Sequence, residues 1–173
     1  KIAKMSINFV DPATFLFEDD GSIPNNPKLP LMFYPGAFCD VTPRLIEETF
    51  HANEWGNNWR ASVFPFPHYH TEAHEALGCF IGSATIRLGG AKGIEQKVQP
   101  GDVVVIPAGV GHENLESTSD FTMVGAYPPG QDPDLQRGES NEHPWALKSI
   151  AKVPLPIADP IYGKDGPLMK VWA

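Results

Sequence analysis

The sequence predicts an all-β fold, a sandwich or a barrel, from three observations. Its 173 residues include 18 prolines and 16 glycines, which is typical of a chain with many turns and few helices. From Trp59 onwards, apolar and polar residues alternate with the period of two that half-buried strands show. Turn signals such as Gly89-Gly90 and Pro100-Gly101 separate the alternating segments. The length suits one domain with its own hydrophobic core.

The elements can be predicted in chain order. Residues 1–10 are a candidate short strand, residues 11–30 an extended arm, and residues 31–34 a strand that Pro35-Gly36 ends. Thr42-Pro43 predicts a helix over residues 43–53, because Thr caps helices and Pro suits their first turn. Eight short strands follow, at residues 59–64, 68–70, 75–81, 83–88, 95–98, 102–106, 112–116 and 121–127. We therefore divide one domain (1–173) into an N-terminal arm with the helix (1–58), a barrel core (59–127) and a Pro-rich C-terminal extension of loop and extended chain (128–173).

The rest of the chain is organised around PFPHYHTEAHEALGCFIG, residues 65–82. His68 and His70 are two residues apart, so on a strand both imidazoles project to the same side. Glu75 opens an apolar run, where a buried carboxylate without a partner would be costly. His112 follows an apolar strand and a Pro/Gly turn. Three imidazoles and one carboxylate predict a site for one divalent transition metal, and these ligands do not choose among Fe, Mn, Ni, Co and Zn.

His74 allows two interpretations. His70 and His74 have the spacing of helical zinc ligands, but the acid of that motif would stand directly after the first His, whereas here it is Glu72. Pro65 and Pro67 also disfavour a helix at this point. We therefore place His74 at the rim of the pocket, either solvated or as a catalytic group, because an unperturbed imidazole can act as an acid or a base near neutrality.

Three further residues are candidates for a substrate pocket. Phe66 belongs to the apolar residues expected to line the barrel. Cys79 shares strand parity with Glu75, and Asn114 shares it with His112, so on regular strands each faces the same interior as the ligand. A packed thiol for Cys79 and a surface position for Asn114 remain open alternatives.

These residues resemble the two motifs of the cupin family. The first motif is matched by His68-Tyr69-His70, then four residues, Glu75, six residues and Gly82; its leading Gly is replaced by Ser62. The second is matched by Gly101, five residues, Pro107-Ala108-Gly109, two residues and His112; its final Asn is replaced by Glu116. The segments VGAYPPGQDPDL and DPIYGKDGPL also resemble the YjlB-like group of cupins. The resemblance implies an RmlC-like jelly roll (a double-stranded β-helix), a divalent metal and a homodimer, in which an N- or C-terminal arm would cover a neighbour's strand edge.

Composition excludes several classes of function. The net charge of −8 argues against nucleic acid, which needs a basic surface. Neither a long apolar run nor a Lys/Arg cluster indicates a membrane partner. Cys39 and Cys79 have no paired spacing, so we expect two reduced thiols and a cytoplasmic protein.

Three functions stay open at this point. The first is an enzyme with dioxygenase, isomerase or decarboxylase chemistry on a small molecule at the metal. The second is a non-catalytic module that binds or senses a small metabolite. The third, a metal-free sugar-nucleotide epimerase on the same fold, is disfavoured because 13 basic residues face 21 acidic ones and the intact ligand set has no role in it.

Overall fold

The computed structural model describes residues 6–173. Within that range it has nine strands and three helices. In chain order they are β1 (Ala13–Phe15), β2 (Leu31–Tyr34), α1 (Pro43–Ala52), β3 (Gly56–Ala61), β4 (Glu75–Ile81), β5 (Ala84–Leu88), β6 (Ile94–Val98), β7 (Val103–Ile106), β8 (His112–Ser117), β9 (Thr122–Tyr127), α2 (His143–Ala151) and α3 (Pro167–Val171). Across residues 6–173, no helix combines the length and the apolar character that crossing a bilayer requires.

The strands form two antiparallel sheets that enclose a common core. The larger sheet has the order β1-β2-β7-β4-β9-β3, and the smaller one has the order β6-β5-β8. Strands far apart in sequence are therefore neighbours in space, as β2 and β7 or β4 and β9 show. This arrangement confirms the predicted all-β jelly roll.

The larger sheet is buried on both faces at its centre. Leu31 and Phe33 of β2 pack between the two sheets, whereas Met32 and Tyr34 pack on the outer face. The outer layer includes α1 and the C-terminal residues Leu168 and Trp172. Strands covered on both sides need apolar residues at every position, which is why β2 and β7 are continuous apolar runs.

Helix α1 begins where the sequence predicts. Thr42 Oγ1 accepts a hydrogen bond from Leu45 N at 3.1 Å, and proline occupies the first turn. Ile46 and Phe50 are the buried residues of the helix and pack on the outer face of the larger sheet. Gly78 of β4 permits this approach, because a Cβ there would lie 2.7 Å from Ile46 Cγ2.

Several element predictions were wrong. The C-terminal extension was predicted to lack helices, yet it contains α2 and α3. Proline is tolerated in the first helical turn, and Ala146 and Ile150, four residues apart, bury one face of α2. Residues 68–70 form only two isolated bridges, one between His68 and His112 and one between Tyr69 and Gln136, and β1 lies inside the predicted arm. The candidate strand at residues 1–10 lies partly outside the described residues, and within them Ile7 forms one isolated bridge with Phe38.

Candidate metal centre

Three imidazoles meet at one end of the jelly roll. His68 and His70 come from the segment before β4, and His112 is the first residue of β8. Two backbone hydrogen bonds, His68 N to His112 O (3.2 Å) and His112 N to His68 O (2.9 Å), hold the two chain segments together. One ring nitrogen from each of the three residues lies within 4.8 Å of the others. The structure thus brings together the three histidines that the sequence singled out.

Main-chain carbonyl groups orient all three rings. In each ring, Nδ1 faces a carbonyl oxygen, which can only accept a hydrogen bond, so Nδ1 carries the proton. The lone pair of Nε2 is then directed to the centre of the cluster, as metal-binding histidines require. The pairs are His68 Nδ1 with Phe66 O (3.0 Å), His112 Nδ1 with Val110 O (3.1 Å) and His70 Nδ1 with Asp134 O.

Glu75 adds a carboxylate to the cluster. Its Oε1 atom lies 3.4 Å from Nε2 of both His70 and His112, and its side chain is buried. Burial opposes ionisation, but the adjacent imidazoles of His70 and His112 outweigh it and hold the pKa of Glu75 well below its usual range. Burial also lowers the pKa of His68 to about 3, so that imidazole is neutral at pH 7. An ionised carboxylate and neutral imidazoles are the forms that bind a divalent transition metal, so this donor set fits one.

The pKa of His70 is raised, whereas the pKa of His68 is lowered. Burial disfavours its imidazolium, but the carboxylate of Glu75 more than compensates and raises the pKa of His70. In the absence of a metal, the carboxylate of Glu75 therefore favours the protonated form of His70. Metal binding would displace that proton, because both residues must offer lone pairs to the ion.

Tyr127 and Trp59, which sequence reasoning missed, fix the second oxygen of Glu75. Trp59 Nε1 donates to Tyr127 Oη at 2.7 Å, and Tyr127 Oη donates to Glu75 Oε2 at 2.9 Å. Since an indole N–H can only donate, it leaves the phenol proton directed at the carboxylate. Gly125 makes room for the indole, because a Cβ there would lie 2.1 Å from Trp59 Cε2. Oε1 is thereby left facing the histidines.

A cavity of about 380 Å³, here called the site cavity, opens from the four clustered residues. Tyr127, Asp134 and the four candidate ligands form part of its lining. Most of the remaining wall is apolar: Trp59, Val63, Phe64, Leu77, Pro133 and Leu135. A molecule of moderate size can therefore reach the histidines and Glu75 from one side.

Phe66 does not occupy its predicted place in the lining. Its ring stacks on Phe64 with a centroid separation of 5.0 Å, and the Arg137 guanidinium lies 3.8 Å from its ring centroid. Phe64, two residues earlier, lines the site cavity instead. The main-chain carbonyl of Phe66 has a different role, since it orients the ring of His68.

Cys79 and Asn114 also lie outside the described lining of the site cavity. Cys79 has the predicted parity but is packed in the core between the sheets, and Leu77 supplies the cavity wall nearer to Glu75. Burial raises the pKa of the Cys79 thiol to about 12. Asn114 Nδ2 donates to the hydroxyl oxygens of Ser62 and Ser117, which hold the side chain at the strand. A shared strand face is therefore not sufficient to place a residue in the cavity.

His74 lies on the opposite side of the strand from the predicted position. Its side chain is fully buried and packs against Trp172, with ring centroids 4.9 Å apart. Nδ1 accepts a hydrogen bond from Ala108 N at 2.9 Å, and burial lowers the pKa of the ring to about 4. Neighbouring residues of an extended chain point to opposite sides, so the inward orientation of Glu75 turns His74 outward. The location at the pocket rim was wrong, and His74 contributes to packing of the C-terminal segment.

Comparison with known proteins places this architecture in a family. The family model described as Cupin matches residues 60–135, which include all four clustered residues. A protein of Bacillus subtilis (strain 168), Uncharacterized protein YjlB, is 46% identical over 159 residues, which cover 92% of this chain and 95% of that protein. The chain belongs to the cupin family. The clustered histidines and Glu75 of this cupin are the residues that the two motifs indicated.

Solved structures show more distant likenesses to this cupin. Acireductone dioxygenase from Bacillus anthracis, with a cadmium ion in its active centre, is 15% identical with a TM-score of 0.38, covering 53% of this chain and 62% of that one. RmlC from Streptococcus suis, in complex with dTDP-D-xylose, is 12% identical with a TM-score of 0.34, covering 95% and 96% of the two chains.

Proposed function

We propose that this cupin is a metal-dependent enzyme that acts on a small molecule at a mononuclear site. Its ligands would be His68, His70, Glu75 and His112. One observation carries the proposal: three imidazoles, with their Nε2 lone pairs directed inward, and a carboxylate meet at the inner end of an accessible cavity. Structural metal sites are closed, whereas catalytic sites keep a position open for water or substrate.

The residues around the cluster have separable tasks in this proposal. A divalent metal held here would supply a Lewis acid or, as iron, a centre for dioxygen chemistry, which suits a dioxygenase, an isomerase or a decarboxylase. The carbonyl groups on the three Nδ1 atoms hold the tautomers, and Tyr127 holds the orientation of Glu75. Apolar wall residues such as Leu77 and Val63 exclude water and so strengthen electrostatic interactions at the centre.

A non-catalytic role in small-molecule binding or sensing is the second candidate, and one observation favours it. The titratable side chains of the cavity wall beyond the ligands are already engaged. Tyr127 Oη donates a hydrogen bond to Glu75. Asp134 accepts hydrogen bonds from the hydroxyl and the main-chain amide of Thr71. Neither group is free for proton transfer, so catalysis would have to rely on the metal and the substrate.

Elemental analysis with matched histidine variants tests the metal site. We expect about one equivalent of metal in the wild-type protein, its loss in His112→Ala, and its retention in His51→Ala, an exposed histidine of α1. Full occupancy in His112→Ala would contradict the ligand set. Failure of the wild type to take up iron, manganese, nickel, cobalt or zinc after reconstitution would end the proposal of a metal enzyme.

Three earlier expectations stay predictions: the assembly into a homodimer, the cytoplasmic location and the division of one domain into arm, core and extension. β1 and β3 lie at the edges of the larger sheet, and β6 and β8 lie at the edges of the smaller one. A neighbouring arm would cover one of these strands if the predicted dimer forms in this way.

A further inference from the structure

We propose that the site cavity accepts a neutral, predominantly aromatic small molecule that carries one or two donor atoms for the metal. The donor atoms rest on the proposed function. The neutral and aromatic character rests on the cavity wall alone, and it narrows the substrate class beyond the metal chemistry.

The mouth of the site cavity is apolar and exposed. Phe64 is 51% exposed and Leu135 is 46% exposed, although the two come from separate segments of the chain. Large apolar side chains that meet at one opening mark a surface that a ligand covers. Trp59 and Phe64 contribute aromatic surface to the cavity wall, against which an aromatic ligand can pack.

The wall offers no counter-charge to an anionic ligand. Among the described residues that line the site cavity there is neither Lys nor Arg. The one carboxylate beyond Glu75 is that of Asp134, and four donors saturate it: Thr71 N (2.7 Å), Thr71 Oγ1 (2.6 Å), Glu72 N (3.1 Å) and Gln136 Nε2 (3.0 Å). A carboxylate or phosphate that does not itself bind the metal would therefore be buried next to a negative charge without a partner, which is strongly unfavourable.

Three cations of the chain line a different space. A separate cleft of about 360 Å³ shares only His112 with the described lining of the site cavity. Arg87 lies 3.6 Å from the carboxylate of Glu113, and Arg137 covers the ring of Phe66. The cations of that cleft are Arg87, Lys92 and Arg137. These three cations thus line the separate cleft and do not line the site cavity.

The volume of the site cavity also favours a small ligand. A cavity of about 380 Å³ lies at the lower end of the range of roughly 300–1,000 Å³ seen for ligand pockets. One substituted ring fits this space, whereas a nucleotide-linked sugar would bring two phosphates into a wall without cations. The site cavity therefore disfavours the sugar-nucleotide class on both size and charge.

The test compares two probes that differ by one carboxylate: catechol and 3,4-dihydroxybenzoate. Both carry the same diol for the metal, and the carboxylate of the second lies at the far side of the ring. We expect isothermal titration of the zinc-loaded protein to give a Kd for catechol that is at least about tenfold lower than the Kd for 3,4-dihydroxybenzoate. Equal or tighter binding of 3,4-dihydroxybenzoate would overturn the proposal, as would failure of catechol to bind at millimolar concentration.

A variant that adds the missing charge sharpens the test. Leu135→Arg places a cation at the cavity mouth and should lower the preference for catechol at least about tenfold, because it pairs with the carboxylate. Leu155→Arg is the matched control, since Leu155 is 51% exposed and lies in another groove. This variant should prefer catechol over 3,4-dihydroxybenzoate to the same extent as the wild type. If 3,4-dihydroxybenzoate binds more tightly and Arg137→Gln removes that advantage, the anion is held in the neighbouring cleft and the proposal is wrong.

Titration of the metal-stripped protein separates this proposal from the proposed function. Metal content is measured independently, so a protein that takes up no metal refutes the enzyme proposal without deciding the character of the wall. The wall itself is unchanged, so catechol should still bind more tightly than 3,4-dihydroxybenzoate, with both affinities lower than in the loaded protein. A reversed order in the metal-free protein would overturn the neutral-ligand inference by itself.

Discussion

Replacing Tyr127 with phenylalanine removes one hydroxyl group between the metal centre and the β3 strand. In the wild type this hydroxyl donates to Glu75 Oε2 at 2.9 Å and accepts from Trp59 Nε1 at 2.7 Å. The variant leaves one carboxylate oxygen without its donor and one half-buried indole N–H without its acceptor. The phenyl ring of the variant has nearly the same shape as the phenol ring, so packing around it should change little.

The expected loss can be estimated in two ways. A hydrogen bond to a charged group contributes about 1.5–3 kcal/mol. Loss of a hydrogen-bond partner of a metal ligand costs about 10–100-fold in metal affinity, which corresponds to about 1.4–2.8 kcal/mol. The two estimates agree, so we expect a metal Kd about 10–100-fold higher in Tyr127→Phe. Loss of the hydrogen bond from Trp59 Nε1 should lower the free energy of unfolding of the metal-free protein by about 0.5–1.5 kcal/mol.

Competition with a chromophoric zinc chelator measures the first quantity, and urea denaturation of the metal-free protein measures the second. Tyr34→Phe is the matched control, because Tyr34 is also buried and donates to a buried carboxylate oxygen, Asp159 Oδ2, at 2.7 Å. It should lower stability but leave the zinc Kd unchanged. An unchanged Kd in Tyr127→Phe, or an equal loss in Tyr34→Phe, would refute the role assigned to the hydrogen bond between Tyr127 and Glu75.

Two further predictions concern the stability of the fold. Burial disfavours ionisation of Glu142, but hydrogen-bond donors including Tyr69 Oη and Gly138 N lower its pKa in the folded protein. Its contribution to stability is therefore present above the unfolded-state pKa of about 4.3 and is lost as the pH falls through the lower folded-state pKa. Glu142→Gln should therefore cost about 1–3 kcal/mol of unfolding free energy at about pH 7, and urea denaturation should show the gap to the wild type shrinking towards about pH 3; a constant gap would contradict this. Gly78→Ala should cost about 1–3 kcal/mol, because the new Cβ would lie 2.7 Å from Ile46 Cγ2, and the cost should fall in an Ile46→Ala background; equal costs in both backgrounds would disprove the clash.

The convergence of the histidines could be predicted because it depends on local rules. Two residues separated by one position share a side of extended chain, which brings His68 and His70 together. The Pro/Gly turn before β8 positions His112, and the bridge between His68 and His112 needs only that the two segments run antiparallel. The all-β class was predictable from strand spacing and turn residues, since these recur along the whole barrel core, whereas the jelly roll was predicted from the resemblance of the two motifs to the cupin family.

Tyr127 and Trp59 could not be found in this way, because their roles depend on register between distant strands. β4 pairs with β9 so that Leu77 is opposite Gly125, and β3 pairs with β9 so that Trp59 is opposite the same glycine. Continued by two residues, the antiparallel register of β4 and β9 brings Tyr127 to Glu75, where the two side chains form their hydrogen bond. A shift of one residue would turn Tyr127 to the other face of the sheet, and the sequence contains no direct signal for the register.

Strand β4 explains which predicted site residues lie at the histidine cluster and which lie away from it. Its inner face carries Glu75 and Leu77, which belong to the ligand cluster and the cavity wall. Its outer face carries Ala76 and Gly78, under α1 and the C-terminal segment, and His74 just before the strand packs there against Trp172. Because the candidate metal ligand and the cavity wall lie on the inner face and the packing residues lie on the outer face, substitutions on the outer face should act mainly on stability. Substitutions on the inner face should act mainly on metal and ligand affinity. The titratable residues that lie close together in the sequence therefore have two physical roles. His68, His70 and Glu75 face the cluster, whereas His74 packs on the outer side, because side chains of extended chain alternate between the two sides.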